Sequence, residues 1–202
     1  PFFSTEEELR ELMAKDSRKA EFSVVEGVMG YYDGIGVSCE KSTHTVSAAT
    51  KTPTILILNA KGMSHTMIPL IQGILSYREN PVCGVILNRC SKGLYQMIKP
   101  EIERELPVKV AGYFPNDDSV HIGSRPLGLM IENLDEVIAR LGALAEECID
   151  LDLLLRLGEK APVLPEKSPL RPDTLSAKSS EPKTADDKTV TPTVQPAPVR
   201  IA

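Results

Sequence analysis

The clearest pattern in the sequence is a series of short apolar runs separated by longer stretches with helical spacing. Two runs, Thr54–Leu58 and Val82–Leu87, are nearly continuous and rich in β-branched residues, which is typical of strands covered on both faces. A strand is also predicted at Glu21–Glu26, and Val108–Tyr113 is a weaker strand candidate. These runs predict a sheet buried inside the protein.

The stretches between the runs have the length and spacing of helices. Residues 65–79 and 91–106 are long enough for the crossovers that parallel strands require. Ser4 followed by Glu7 has the spacing of a capping box, which predicts an amphipathic helix over residues 5–15. We therefore predict an α/β fold with a mostly parallel sheet flanked by helices.

A further helix is predicted near the end of the folded part. Asn133 with Glu136 gives a second capping signal. The residues that follow form one apolar stripe at helical spacing, which predicts a helix packed on the sheet. The stripe consists of Leu134, Val137, Ile138, Leu141, Leu144, Ala145 and Cys148.

The composition changes sharply at Ala161. Eight of the 16 prolines lie beyond this point, and no aromatic residue follows Phe114. Such a segment cannot bury enough apolar surface to offset its ordering entropy, so residues 161–198 are predicted to be a mobile Pro-rich linker. Residues 199–202 resemble the opening of another strand, and the chain begins at Pro1 without Met, so we expect a piece of a longer protein.

The overall composition limits the kinds of molecule that the protein is expected to bind. The 202 residues carry a net charge of -5, which argues against a nucleic-acid-binding surface, since such surfaces concentrate Lys and Arg. No apolar stretch reaches the roughly 18 residues that span a bilayer, so we expect a cytoplasmic protein without membrane contact. The four cysteines (Cys39, Cys83, Cys90, Cys148) form no C-x-x-C pair and are expected to be small apolar residues.

The stretch whose residues best suit a functional site is Val24–Gly36. An apolar run ends in Glu26, and four glycines and Asp33 follow it. In an open parallel sheet the ligand crevice lies beyond the carboxyl ends of the strands, so an acid followed by permissive glycines suits a metal-phosphate site. The alternative is that Glu26 merely ends a strand and the glycines form an ordinary turn.

Several motifs in this order resemble the cobyrinic acid a,c-diamide synthase family, glutamine-dependent amidotransferases of corrinoid precursors. The strand-end motifs are Glu26-Gly-Val-Met-Gly-Tyr-Tyr-Asp-Gly34, Asn59-Ala-Lys-Gly-Met63 and Gly84-Val-Ile-Leu-Asn-Arg89. Ser124-Arg-Pro-Leu-Gly-Leu129 and Asp150-Leu-Asp-Leu-Leu-Leu155, expected to be a helix, follow in the family's order. The resemblance covers about residues 3–160.

The resemblance implies a P-loop-type α/β fold like that of dethiobiotin synthetase. No G-x-x-x-x-G-K-[ST] loop occurs in the sequence, so we expect residues 1–160 to be a partial ATP-binding amidoligase domain lacking its first strand and phosphate loop. Residues 199–202 would then begin a glutaminase domain. On this interpretation the 202 residues alone are inactive.

The activity implied by the resemblance is ATP- and glutamine-dependent amidation of the a and c side-chain carboxylates of cobyrinic acid, through acyl phosphates. Its cofactors would be ATP and Mg²⁺, and a glutaminase domain of the same parent chain would supply ammonia. A homodimer is one candidate assembly. Alternatives are the same chemistry on hydrogenobyrinic acid or nickel-sirohydrochlorin, or a non-catalytic nucleotide-binding switch of the same fold.

The resemblance also implies roles for the strand-end residues. Glu26 would bind Mg²⁺, and Asp33 would serve the metal or orient the substrate, unless it only stabilises its turn. Asn88 would read the adenine edge because an amide offers a donor and an acceptor. Arg89 and Pro115 would frame that pocket, or be a solvated charge and a loop-rigidifying ring.

Three further residues would contact the substrate. Ser42 and Thr43 match a Ser-Thr pair of the family, although Ser42 also suits a simple helix N-cap. Arg125 could pair with a substrate carboxylate or form a surface salt bridge. The sequence departs from the family at Asn59, where an aspartate is usual, and at Pro126, where a histidine is usual.

Overall fold

A computed structural model describes residues 3–18, 20–117, 120, 123–125, 128–130 and 134–164. All of them belong to one compact unit, Pro1–Lys167. Residues 165–198 of the predicted linker, the segment 199–202, Asn133 and Pro126 lie outside the described residues. In the described part of the chain, no helix combines the length and apolar character that a membrane span requires.

The predicted α/β architecture is confirmed. The elements follow one another as α1 (Glu6–Ser17), α2 (Thr43–Thr50), β1 (Thr54–Asn59), α3 (Met67–Tyr77), β2 (Val82–Asn88), α4 (Lys92–Glu105), β3 (Lys109–Phe114), β4 (Gly123–Arg125), β5 (Gly128–Met130), α5 (Leu134–Cys148) and α6 (Leu151–Gly158). Strands β1, β2 and β3 form a parallel sheet in that order. Strands β4 and β5 form a separate antiparallel pair that the sequence pattern did not predict.

The core lies between the sheet and the two helices that connect its strands. Helices α3 and α4 follow β1 and β2 respectively, so each returns the chain to the start of the next parallel strand. Buried side chains from all five elements meet there, and each contributes about 1.5–3 kcal/mol by leaving water. They include Leu56, Met67, Ile71, Val85, Leu87, Ile98, Ile102 and Val110.

Helix α5 covers part of the sheet, as its apolar stripe predicted. Val137, Leu144 and Cys148 are buried, and the helix packs against β3. Leu134 and Ile138 near its beginning are about half exposed although Val137 is buried, so the first part of the stripe is only partly covered by the described residues. Helix α6 follows directly and is capped by the Asp150 carboxylate, which accepts the Leu153 N–H.

Helix α1 begins one residue later than its capping signal indicated. Thr5, rather than Ser4, is the N-cap: its hydroxyl accepts the Glu8 N–H and the Glu8 carboxylate accepts the Thr5 N–H. Both residues can cap, and the reciprocal pair at 5 and 8 is the one that forms. The helix continues to Ser17, two residues beyond the prediction, and Arg10 ties it to α2 by donating to the Ala49 carbonyl.

The predicted strand at Glu21–Glu26 is wrong. These residues have no regular secondary structure, and no backbone hydrogen bond joins them to another described residue. Val24 is 85% exposed, and the Phe22 ring lies against Gly158 at the end of α6. A β-branched run becomes a strand only beside a partner strand, and no described strand flanks this one.

Candidate functional site

The three parallel strands end together, and this carboxyl edge of the sheet holds one group of the predicted site residues. We define the carboxyl edge as Asn59–Met63, Asn88–Ser91 and Phe114–Asn116. Asn59 is the register partner of Asn88, and Asn88 is the partner of Phe114. Neighbouring strands lie about 4.8 Å apart, so these chain ends form one continuous rim.

Asn88 is half-buried at this rim and is tied to the turn that follows it. Its Oδ1 accepts the Arg89 N–H at 3.0 Å, and Arg89 has a left-handed backbone with φ of 56°. The amide NH₂ and the second lone pair of Oδ1 remain for a ligand. Asn88 therefore still offers a donor and an acceptor, as the proposed recognition of an adenine edge requires.

Arg89 and Pro115 both lie at the carboxyl edge. Arg89 is exposed and Pro115 is half-buried directly after β3. The backbone beside Arg89 is fixed because Cys90 donates its N–H to the Phe114 carbonyl at 3.0 Å. The structure thus brings Asn88, Arg89 and Pro115 together on neighbouring strand ends.

Asp33 belongs to a second group of predicted site residues, which also contains Glu26, Ser42 and Thr43. Asp33 lies in a tight turn. The Asp33 Oδ2 accepts the Gly30 N–H at 3.0 Å, and the Asp33 N–H donates to the Gly30 carbonyl at 3.0 Å. Asp33 itself is exposed. Its carboxylate acts here as a turn stabiliser, which is one of the two roles that the sequence allowed.

Helix α2 begins at Thr43, after its N-cap Ser42, and both side chains form hydrogen bonds within the protein. Ser42 is 2% exposed, caps the helix by accepting the Thr45 N–H, and donates to the Cys39 carbonyl at 2.7 Å. Thr43 accepts the Val28 N–H at 3.2 Å, and a Cβ at Gly27 would come within 2.7 Å of the Thr43 methyl carbon. Gly27 is therefore required where the segment that carries Glu26 approaches α2.

Glu26 is exposed and lies next to this contact. One exposed carboxylate can supply a single ligand to Mg²⁺, which commonly takes one or two protein carboxylates together with phosphate oxygens and water. Among the described residues, no three or more His, Cys, Asp or Glu side chains gather in a way that could hold a metal ion. At this position the described residues therefore offer Mg²⁺ a single carboxylate.

The second group packs at the opposite end of the strands from Asn88. The Tyr32 hydroxyl donates to the Ile74 carbonyl at 2.8 Å and accepts from Asn80, which lies two residues before β2. His44 Nε2 is 2.9 Å from the Glu79 carbonyl. Since Val82 to Asn88 spans about 20 Å, the structure does not bring Asp33 together with Asn88.

A cluster of aromatic rings holds this second group in place. Tyr31, Tyr32, His44 and Tyr77 contact one another with ring centroids 4.8–5.6 Å apart. Burial raises the pKa of Tyr31, whose hydroxyl bonds to Ser47 at 2.9 Å. The Tyr-Tyr pair at 31–32 was the available signal, but the sequence did not indicate which rings would meet.

An open cavity of about 740 Å³ adjoins the ring cluster. It lies between α1, residues 37–41, α2 and the end of α3, and its lining includes Glu6, Cys39, Lys41, His44, Tyr77 and Arg78. None of the residues that the sequence predicted for the site lines it. Arg125 lies in β4, paired with Gly128, and its side chain is outside the described part of the structure.

Most of the sequence is similar to proteins of known name. The chain is 36% identical over 172 residues to cobyrinate a,c-diamide synthase of Caldanaerobacter subterraneus subsp. tengcongensis, which is 82% of this chain and 38% of the relative. It is 38% identical over 148 residues to that of Clostridium tetani, covering 71% and 34% of the two chains. Over the matched residues, this chain is therefore similar in sequence to cobyrinate a,c-diamide synthases.

A third relative has a lower identity to this chain. Cobyrinate a,c-diamide synthase of Methanocaldococcus jannaschii is 32% identical over 167 residues, covering 79% of this chain and 38% of the relative. The chain thus spans little more than a third of the length of the family members that it matches. No family model matches the chain, and no solved structure matches it.

Proposed function

We propose that this chain is part of an enzyme that amidates the a and c side-chain carboxylates of cobyrinic acid with ATP and glutamine, in cobalamin biosynthesis. The observation that supports this most directly is the 36% identity over 172 residues to a protein named cobyrinate a,c-diamide synthase. Residues 1–160 would be its partial ATP-binding amidoligase domain, 161–198 a linker, and 199–202 the start of a glutaminase domain.

The chemistry explains why such an enzyme needs ATP. A carboxylate has no leaving group and repels nucleophiles at neutral pH. ATP, when bound, supplies the phosphoryl group that turns the carboxylate oxygen into a leaving group, which ammonia then displaces as phosphate. The ammonia would come from the glutaminase domain, and the protein would work in the cytoplasm.

The nucleotide side of the site would be the carboxyl edge. Asn88 would donate to a purine ring nitrogen through its free NH₂ and accept through Oδ1, while Arg89 and Pro115 would frame the ring. Their shared position at adjacent strand ends supports this assignment. The edge is also where ligands bind in open parallel sheets.

The metal and substrate side would involve Glu26 and Asp33, with Ser42, Thr43 and Arg125 as substrate contacts. Glu26 would bind Mg²⁺. Because the Asp33 turn packs at the other end of β2, this proposal requires segment 21–33 to be repositioned in the active protein. Residues 21–26 are exposed and form no backbone hydrogen bonds to described residues, which supports their repositioning. Moving Asp33 would also require the hydrogen bonds of Tyr31 and Tyr32 to break.

The proposal is tested by an amidation assay on the gene product that contains these 202 residues. Cobyrinic acid, ATP, MgCl₂ and glutamine are supplied, and amide products are counted by mass spectrometry. Two amidations are expected with cobyrinic acid. A stronger reaction with hydrogenobyrinic acid or nickel-sirohydrochlorin would change the substrate, and no amide from any of the three would contradict the proposed function.

A substitution at Glu26 tests its role separately. Glu26→Gln is expected to lower kcat by about a hundredfold or more, since losing a metal ligand removes several kcal/mol of charge stabilisation. Glu21→Gln is the matched control, because Glu21 is an exposed carboxylate of the same segment, and it should retain activity. Full activity of Glu26→Gln would remove Glu26 from the site without affecting the family assignment.

A further inference from the structure

The carboxyl edge contains two turns that each begin with an asparagine. Asn59 ends β1 and Asn88 ends β2, and the two are register partners. The Asn59 Oδ1 accepts the Lys61 N–H at 3.2 Å, and the Asn88 Oδ1 accepts the Arg89 N–H at 3.0 Å. Each asparagine therefore shapes the turn that carries a basic residue.

The main chain that carries Lys61 and Arg89 is held in a defined conformation. Ala60 donates its N–H to the Asn88 carbonyl at 2.8 Å, and Met63 donates to the Ala60 carbonyl at 3.0 Å, which closes the turn around Lys61. Gly62 completes this turn with φ of 74°, a conformation that favours glycine. Arg89 adopts φ of 56° without being glycine, which is a strained conformation held by its surroundings.

The charge of this edge has one sign. Lys61 and Arg89 are exposed, and the edge as defined above contains no Asp or Glu. The nearby Asp117 is paired with Arg140, whose Nε is 2.7 Å from Asp117 Oδ2. Two long cationic side chains on strand ends about 4.8 Å apart can reach one anion, and the free amide NH₂ groups add neutral donors.

We propose that Lys61 and Arg89 bind the phosphate chain of a nucleotide directly, with Asn59 and Asn88 as the positioning residues that hold their turns. This inference rests on the proposed function, which requires ATP, and adds Lys61 and Asn59 to the site. Because Asn59 is uncharged, this strand end does not repel phosphate. An aspartate at the same position would need a metal ion between its carboxylate and the phosphates.

Binding of inorganic pyrophosphate, ATP and adenosine to the full 202-residue chain tests the site by calorimetry without Mg²⁺. Lys61→Met and Arg89→Met are each expected to weaken pyrophosphate and ATP binding by about tenfold or more, as for a lost charge-assisted hydrogen bond. Adenosine binding should not change in Lys61→Met, because Lys61 is not among the residues proposed to frame the adenine ring. Lys51→Met is the matched control, because Lys51 is exposed, has φ of 53° and precedes β1 at the opposite end.

Asn59→Asp gives an independent test with a predicted sign. The added carboxylate should preserve the turn, because it can still accept the Lys61 N–H, but it should repel phosphate. Pyrophosphate binding is therefore expected to weaken about tenfold without Mg²⁺ and to recover when Mg²⁺ is added. Thermal unfolding of each variant confirms that folding is intact.

Three binding results would overturn the inference: no pyrophosphate binding by the wild-type chain, unchanged binding in Lys61→Met and Arg89→Met, or an equal loss in Lys51→Met. The readout is separate from amidation. Phosphate binding that depends on Lys61 without any amide product would support the site and contradict the proposed function. Amidation that is insensitive to Lys61→Met would support the proposed function and contradict the phosphate site.

Discussion

Asn59 and Asn88 show how a single side chain can shape a site by holding backbone. The sequence predicted Asn88 at a strand end because the preceding apolar run marks where the strand stops. It did not predict that Oδ1 would bond to Arg89, because that bond depends on the left-handed turn that Arg89 adopts. Lys61 could have been found from its place in Asn-Ala-Lys-Gly, where Asn and Gly both favour a turn.

The four free cysteines differ in access, which gives a prediction at the scale of single residues. Burial raises the pKa of Cys83 and of Cys90, so less of each thiol is ionised at pH 8 than in an exposed thiol. Cys39 is half-exposed and borders the 740 Å³ cavity. We expect iodoacetamide to label Cys39 about tenfold or more faster than Cys90, measured by peptide mass spectrometry.

The control for this measurement is Cys39→Ser, which should remove the fast phase and leave the slow labelling of the other thiols unchanged. Raising the pH from 8 to 9 should speed labelling of Cys83 and Cys90, because their raised pKa values leave more thiol to ionise. Labelling of Cys90 as fast as Cys39 in the native protein would contradict the buried position of Cys90 beside β2.

At the scale of elements, the prediction succeeded where burial decides structure. The runs at 54–58, 82–87 and 108–113 became β1, β2 and β3 because their side chains fill both sides of a covered sheet. The run at 21–26 has similar residues but forms no strand, since a strand requires hydrogen bonds to a neighbour that may be distant in sequence. Patterns within one segment contain no information on that neighbour.

Hydrogen exchange can test this difference between segments. Backbone amides of residues 21–26 are expected to exchange much faster than those of residues 84–88, which are bonded within the parallel sheet. Mass spectrometry of peptides after short deuteration measures both rates in one sample. Slow exchange at 21–26 would show that the segment forms the strand that its sequence indicated.

Helix α4 protects the outer edge of β3 with two charged side chains. The Glu103 carboxylate accepts the Val110 N–H at 2.9 Å, and the Lys99 ammonium donates to the Val110 carbonyl at 2.6 Å. The two side chains also lie 3.4 Å from each other. Both backbone groups of one edge residue are thus satisfied without another strand.

Removing this contact should destabilise the fold. Glu103→Ala leaves the part-buried Val110 N–H without its acceptor, which costs about 1–3 kcal/mol in the free energy of unfolding. Urea denaturation followed by circular dichroism measures the change. Glu101→Ala is the matched control on the same helix, because Glu101 pairs with Arg104 at the surface, and such pairs contribute about 0–1 kcal/mol. Equal losses in both variants would contradict the proposed contribution of Glu103.

At the scale of the whole molecule, the sequence predicted which residues end the strands but not which strand ends would meet. Asn88, Arg89 and Pro115 follow strands that pair with each other, so parallel topology places them together. Glu26 and Asp33 follow a segment that pairs with no described strand, and their position depends on the ring cluster of Tyr32 and His44 instead. Those long-range contacts have no signature in local sequence.

The hydrogen bonds of Lys99 and Glu103 to Val110 also limit the side on which another strand can join the sheet. Beyond Val110, β3 is closed again where Asp150 donates its N–H to the Ala111 carbonyl and Gly112 bridges Ile149. Strand β1 pairs with β2 alone among the strands that the structure describes. Any additional strand, whether from this chain or from another molecule, would therefore join on the β1 side, and engineered extensions of this sheet should be attached there.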